Sequence, residues 1–110
     1  MIKVCVIGGF EQTDKLHNLN IITSKIKGFK FIFPDLDHIK DLNKYYDLIK
    51  DSINECNNII LLNNSKNTNK FSVIFGMAFQ SNKDLKINSI ENIIKYFEKI
   101  GEDIDATTSK

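Results

Sequence analysis

The sequence predicts an α/β fold: a small single-domain, Rossmann-like (flavodoxin-like) three-layer sandwich with a parallel sheet of about four strands. Three observations predict it. Short β-branched apolar runs alternate with segments of helical period along the chain. The runs are continuously apolar, as strands covered on both faces require. The 110 residues suffice for one core but not two.

The first run, "IKVCVIGG" (2–9), reads as a buried strand closed by two glycines. Thr13 or Asp14 can cap the helix that follows, which carries Leu16, Leu19, Ile22 and Ile26 at spacings of three and four. Gly28 stands where a left-handed helix terminator belongs. "FKFIFP" (29–34) is a second strand, ended by the chain's only proline. Leu42, Tyr46, Ile49, Ile53 and Cys56 mark a second helix over 41–57, with Asn57 and Asn58 at its exit. "IILL" (59–62) is a third strand, and "SVIFGMAFQ" (72–80) a short third helix. "DLKI" (84–87) is a weaker fourth strand. Ser89 caps a last helix bearing Ile90, Ile93, Ile94, Phe97 and Ile100, with Gly101 as its stop. Residues 1–101 form the domain, and 102–110 are expected to be a flexible tail. Right-handed crossovers place the first strand between the second and third.

Composition narrows the function classes. A net charge of +1 with lysines spread along the chain gives no electrostatic footprint for duplex nucleic acid. No apolar run reaches the ~20 residues of a bilayer span, and the N-terminus lacks the pattern of a signal peptide. Cys5 and Cys56 form no CxxC pair and read as buried reduced thiols, which points to the cytoplasm.

In doubly wound sheets, ligands bind beyond the carboxyl ends of the strands, where the winding reverses. Three loops fall there: 8–14, 34–41 and 63–72. In the first, Gly8, Gly9 and Phe10 precede a helix start, so backbone N–H groups can receive an anion or a sugar hydroxyl. The same residues equally suit a plain tight turn, and Glu11 can simply complement a helix dipole. The second loop holds Asp35, Asp37, His38 and Asp41, with no second His or Cys cluster to complete a metal site. No metal or cofactor is expected. The third offers Asn63, Asn64, Ser65, Thr68 and Ser72 with Lys66 and Lys70, and residues 63–83 contain no acid. These can donate to phosphate or ribose oxygens, or form a solvated loop. No nucleophile elbow surrounds Ser65 or Ser72, and no activating partner flanks either cysteine.

Taken in order, "VCVIGGF", "FIFPDLD", "IKDSINECNN" leading into "IILLNN", and "SVIFGMAFQ" resemble the nucleoside 2-deoxyribosyltransferase-like superfamily, which includes nucleotide N-glycosidases. The likeness spans roughly residues 2–82. It implies a nucleoside, nucleotide or sugar phosphate bound at the strand ends, with Gly76 and Ala78 matching the family's x-E-x-G-x-A helix at the pocket floor. There, a bare Gly76 would let helix and strand approach closely. An ordinary short buried helix predicts the same residues.

In that family, a glutamate two positions before the glycine attacks the anomeric carbon, giving a covalent glycosyl-enzyme intermediate. The equivalent residue here is Ile74, and Asn57 stands where an aspartate is expected. The resemblance therefore implies a binding protein altered or inactive in glycosyl transfer. The alternatives are an active enzyme using relocated carboxylates, of which Glu11, Asp35 and Asp51 are the candidates, and a protein-interaction module on the same scaffold. Family pockets are often completed by a neighbouring subunit, so the resemblance implies that a homo-oligomer is possible; Phe10, Tyr45 and Phe71 read either as its contacts or simply as core residues.

Overall fold

A computed structural model describes residues 1–8, 13–34, 39–63 and 68–108, with the backbone alone at 13, 68, 70 and 101–108. Its elements run in strict alternation: β1 (Ile2–Gly8), α1 (Thr13–Ser24), β2 (Phe29–Ile32), α2 (Leu42–Glu55), β3 (Asn58–Leu62), α3 (Thr68–Gln80), β4 (Asp84–Asn88) and α4 (Ile90–Thr108). The strands form one parallel sheet in the order β2-β1-β3-β4.

The sheet is covered on both faces because the central strands are apolar at every position from Val4 to Ile7 and from Ile59 to Leu62. Cys5 and Ile7 of β1 and Ile59 and Leu61 of β3 join Ile49 and Ile53 of α2 and Ile74 and Ala78 of α3 in one buried cluster. Val4, Val6, Ile60 and Leu62 point the other way and join Leu19 of α1 with Ile90, Ile93 and Phe97 of α4. Successive strand residues face opposite sides, so α2 and α3 cover one face and α1 and α4 the other. The two layers sit on either side of β1 and β3, and the winding reverses between those strands.

Three local expectations are corrected. Helix α3 starts at Thr68, not Ser72, because its sheet-facing apolar residues draw a polar first turn into the helix. Helix α4 passes Gly101, the expected stop, and runs to Thr108. An interior glycine costs about 1 kcal/mol against alanine, which weakens a helix without ending it. Gly28 does take the left-handed conformation, at φ +87°, but four residues beyond the end of α1. It forms the turn into β2, where its carbonyl accepts from the Ile2 backbone N–H at 3.1 Å.

Helix ends are held by polar groups. Asp41 caps α2, its carboxylate accepting from the Asn43 backbone N–H at 2.9 Å. At the other end of α2 the Lys83 ammonium donates to the Ile53 carbonyl, placing a cation where the helix dipole is negative. Ser89 caps α4 as expected, accepting from the Asn92 N–H at 3.2 Å.

Candidate functional site at the carboxyl edge of the sheet

Strands β1, β3 and β4 end in line, with Gly8 paired to Leu62 and Leu62 to Asn88. All four strands are parallel, so the segments following β1, β2 and β3 leave the same edge, as the loop assignment requires. At this edge Gly8 has φ +112°, and a Cβ built on it would stand 2.6 Å from the Leu62 carbonyl oxygen. The tight approach expected of a glycine is therefore at Gly8.

Gly76 does not provide it. A Cβ there meets nothing within 4 Å. Gly76 is the ninth residue of α3 and lies about 12 Å along the helix from its start at the rim. Ile74 and Ala78, at 1% and 0% exposure, make the sheet contact, and Gly76 is turned away from it. The expectation failed because apolar neighbours in sequence do not reveal which side of a helix a glycine occupies.

Asn63 is exposed at the end of β3, and its backbone N–H donates to the Asn88 carbonyl at 3.1 Å. Asn88, missed because β4 was expected to end at Ile87, is the polar hub of this edge. Its side-chain oxygen accepts from the Ser89 N–H at 2.8 Å and from the Asn92 amide at 2.9 Å. Its position, directly after an apolar run and before a serine cap, was the signal available. Glu91 was also missed. In the first turn of α4 it pairs with Lys15 of α1 at 2.5 Å, so one carboxylate stands near the rim on the α1/α4 side. Ser72 is exposed on the second turn of α3.

The candidate residues Gly9, Phe10, Glu11, Asp35, Asn64 and Ser65 lie outside the described residues. Asp51 is described and exposed, nine residues beyond Leu42 and about 13 Å along α2 towards the amino edge. Asn57 is at that opposite edge too. Its N–H donates to the Lys3 carbonyl at 2.8 Å and its side-chain oxygen accepts from the Lys3 N–H at 2.9 Å, extending the β1–β3 pairing. Of the residues considered for subunit contact, Tyr45 is in the core at 3% exposure, since its position on α2 faces the sheet beside Ile49. Phe71 packs partly against that cluster.

A second concavity, of about 260 Å³, lies at the amino end of the sheet on the α1/α4 face. Val4, Phe31, Ile60, Ile93, Tyr96 and Phe97 are among its walls. Lys86 reaches across Tyr96, its ammonium 3.8 Å from the ring centroid. The walls are mostly apolar, with Asn58, Asp84 and Lys86 as the polar residues among them.

Among the described residues no three His, Cys, Asp or Glu side chains gather to hold a metal ion, and no helix is long and apolar enough to cross a membrane. Cys5 and Cys56 are both free and buried. Desolvation, and after it the neighbouring Cys56 sulfur, pushes the Cys5 thiol far up, and desolvation raises Cys56 as well. Neither is poised as a nucleophile.

Comparison with protein-family models, with curated proteins and with solved structures found no match.

Proposed function

We propose that the chain binds a nucleoside, nucleotide or sugar phosphate at the carboxyl edge of the sheet, in contact with Gly8, Asn63 and Asn88, and does not carry out glycosyl transfer through position 74. The observation that carries this reading is the Gly8–Leu62 approach at the reversal point. Bare backbone at Gly8 and the two asparagines Asn63 and Asn88 stand at the edge from which the segments after β1, β2 and β3 leave. Backbone N–H groups and asparagines suit ribose hydroxyls and phosphate oxygens, which need donors rather than a buried charge.

The loss of transfer chemistry rests on Ile74. Its side chain is 1% exposed, within the same apolar cluster as Ile7 and Leu61. A hydrocarbon there has no lone pair to form a glycosyl-enzyme bond.

Calorimetric titration with nucleosides, nucleoside monophosphates and nicotinamide nucleotides, run beside a chromatographic assay for released base, tests both halves. At least one ligand class is expected to bind, with base release no faster than in buffer. Absence of binding across the panel would end the ligand reading, and enzymatic base release would establish the relocated-carboxylate alternative instead.

A further inference from the structure

The cavity at the amino edge changes character from one side to the other. Phe31, Val4, Asn58 and Asp84 all line it and stand side by side in strand register, so one row runs from an aromatic ring to a carboxylate. Residues two apart on a strand share a face, so Lys86 emerges beside Asp84 on the same side. On the apolar half, Phe31, Phe97 and Tyr96 form a chain of edge-on rings, with successive centroids 5.2 Å apart and planes inclined by 84° and 76°. On the polar half, Asp84 and Lys86 are exposed, and among the described residues they form no ion pair with one another. The Lys86 ammonium is held instead at the cavity wall, 3.8 Å from the Tyr96 ring centroid.

We propose that this cavity binds a free α-amino acid with an aromatic side chain: its ring among Phe31, Phe97 and Tyr96, its carboxylate on Lys86 and its ammonium on Asp84. The volume suits the ring. A cavity of roughly 150 Å³ lined by aliphatic and aromatic side chains takes up benzene. The cavity here, of about 260 Å³, therefore has room for a phenyl group and the carbons that join it to its charged groups. A guest ring extends the edge-to-face contacts that the wall rings already make with one another.

The charges suit the head. One carboxylate and one ammonium leave the same strand two residues apart, a rise of roughly 6.6 Å. A simple carboxylic acid would meet Lys86 favourably and Asp84 unfavourably, and a simple amine the reverse. A zwitterion, which carries both charges on one carbon, satisfies the two side chains together. Asn58, next to Asp84 in the row, adds an amide with both donors and an acceptor.

Small-molecule sites combine an apolar body of this kind with a few polar groups that fix orientation. A fatty acid would bring no cation to Asp84, and a sugar phosphate no apolar body to the rings. The cavity lies at the opposite edge of the sheet from Gly8, Asn63 and Asn88, so the proposal does not depend on the ligand reading there.

Calorimetric titration of the full chain with L-phenylalanine, phenylpropanoate (no ammonium), phenethylamine (no carboxylate) and alanine (no ring), repeated on Lys86→Gln and Asp84→Asn, tests it. L-phenylalanine is expected to bind the wild type, and alanine at least about tenfold more weakly, since the buried ring is lost. A charge pair partly open to solvent is worth about fivefold. Lys86→Gln should therefore weaken L-phenylalanine and phenylpropanoate by that factor, but not phenethylamine. Asp84→Asn should weaken L-phenylalanine and phenethylamine, but not phenylpropanoate. Both side chains are exposed, so both variants should keep the circular dichroism of the wild type. No binding of L-phenylalanine at millimolar concentration, or binding that either substitution leaves unchanged, overturns the proposal.

Discussion

Gly8 and Leu62 meet backbone to backbone where β1 and β3 end: a Cβ on Gly8 would lie 2.6 Å from the Leu62 carbonyl oxygen and 3.2 Å from its Cβ. Neither neighbour can move cheaply, since the oxygen belongs to the ladder of a central strand. Positive φ adds a second penalty for any side chain. Gly8→Ala is therefore expected to cost about 2–4 kcal/mol, combining backbone strain with the clash. Gly28 serves as the control, because it shares positive φ but a Cβ on it would meet nothing within 4 Å. Gly28→Ala should cost only about 1–2 kcal/mol, the conformational part alone. Urea unfolding of the two variants separates clash from conformation.

Gly76→Ala is expected to change stability in the opposite direction. The position is helical, its φ is not left-handed and open space awaits the methyl group. Replacing a mid-helix glycine there should stabilise the protomer by about 0.5–1 kcal/mol. Urea unfolding measures the difference. Destabilisation would mean that the helix backbone needs the glycine after all.

Restoring a carboxylate at the family's nucleophile position should not restore chemistry. Ile74→Glu would place an acid among Ile7, Leu61 and Ala78 in the cluster beneath α3, where Ile74 is 1% exposed. An unpaired buried charge of this kind costs on the order of 3–5 kcal/mol. The variant is expected to lose much of its stability in urea and to release no base from nucleosides. A stable variant with base-releasing activity would show that the side chain reaches the rim.

The cavity at the amino edge should accept extra volume. Val4 is 4% exposed and lines it together with Phe31, Ile60 and Phe97. Val4→Ile adds one methylene into that space and should raise stability by about 0.8 kcal/mol. A loss on thermal and urea unfolding would mean that the walls leave no room in that direction.

Strands and amphipathic helices were legible because their signals are local. The β-branched runs at Val4–Ile7 and Ile59–Leu62 are buried strands, and the helical spacing of Ile49 and Ile53 is the buried stripe of α2. Where the reading failed, the deciding partner was distant in sequence. Thr68–Phe71 reads as polar loop until the sheet beneath α3 is present. Tyr45 could be core or surface until the rotation of α2 against Cys5 and Ile59 is known. Gly8 and Gly76 exchanged roles for the same reason: the first is confined by Leu62, 54 residues away in sequence, while the second faces outward. The edge from which the segments after β1, β2 and β3 leave was legible from strand alternation alone. Asn88 and Glu91 were not, since their importance depends on β4 ending level with β1 and on α4 starting beside α1.

The buried thiols link stability to alkaline pH. Cys5 is fully buried and Cys56 is 3% exposed, and burial raises both thiols above their ordinary value. In the unfolded chain the thiols ionise near pH 8.5. Above that, the unfolded state has lost protons that the folded state still holds, so it binds fewer protons and stability falls as pH rises. The contribution is constant below that range, then declines by up to about 1.4 kcal/mol per pH unit for each thiol until the folded-state value is reached. The thiol part is isolated by difference. Cys5→Ala should be less stable than wild type at pH 7, because of the cavity it leaves, yet lose stability more slowly between pH 9 and 10. Equal slopes for the two chains in urea melts over that interval would mean that Cys5 ionises as readily in the folded protein as in the unfolded one.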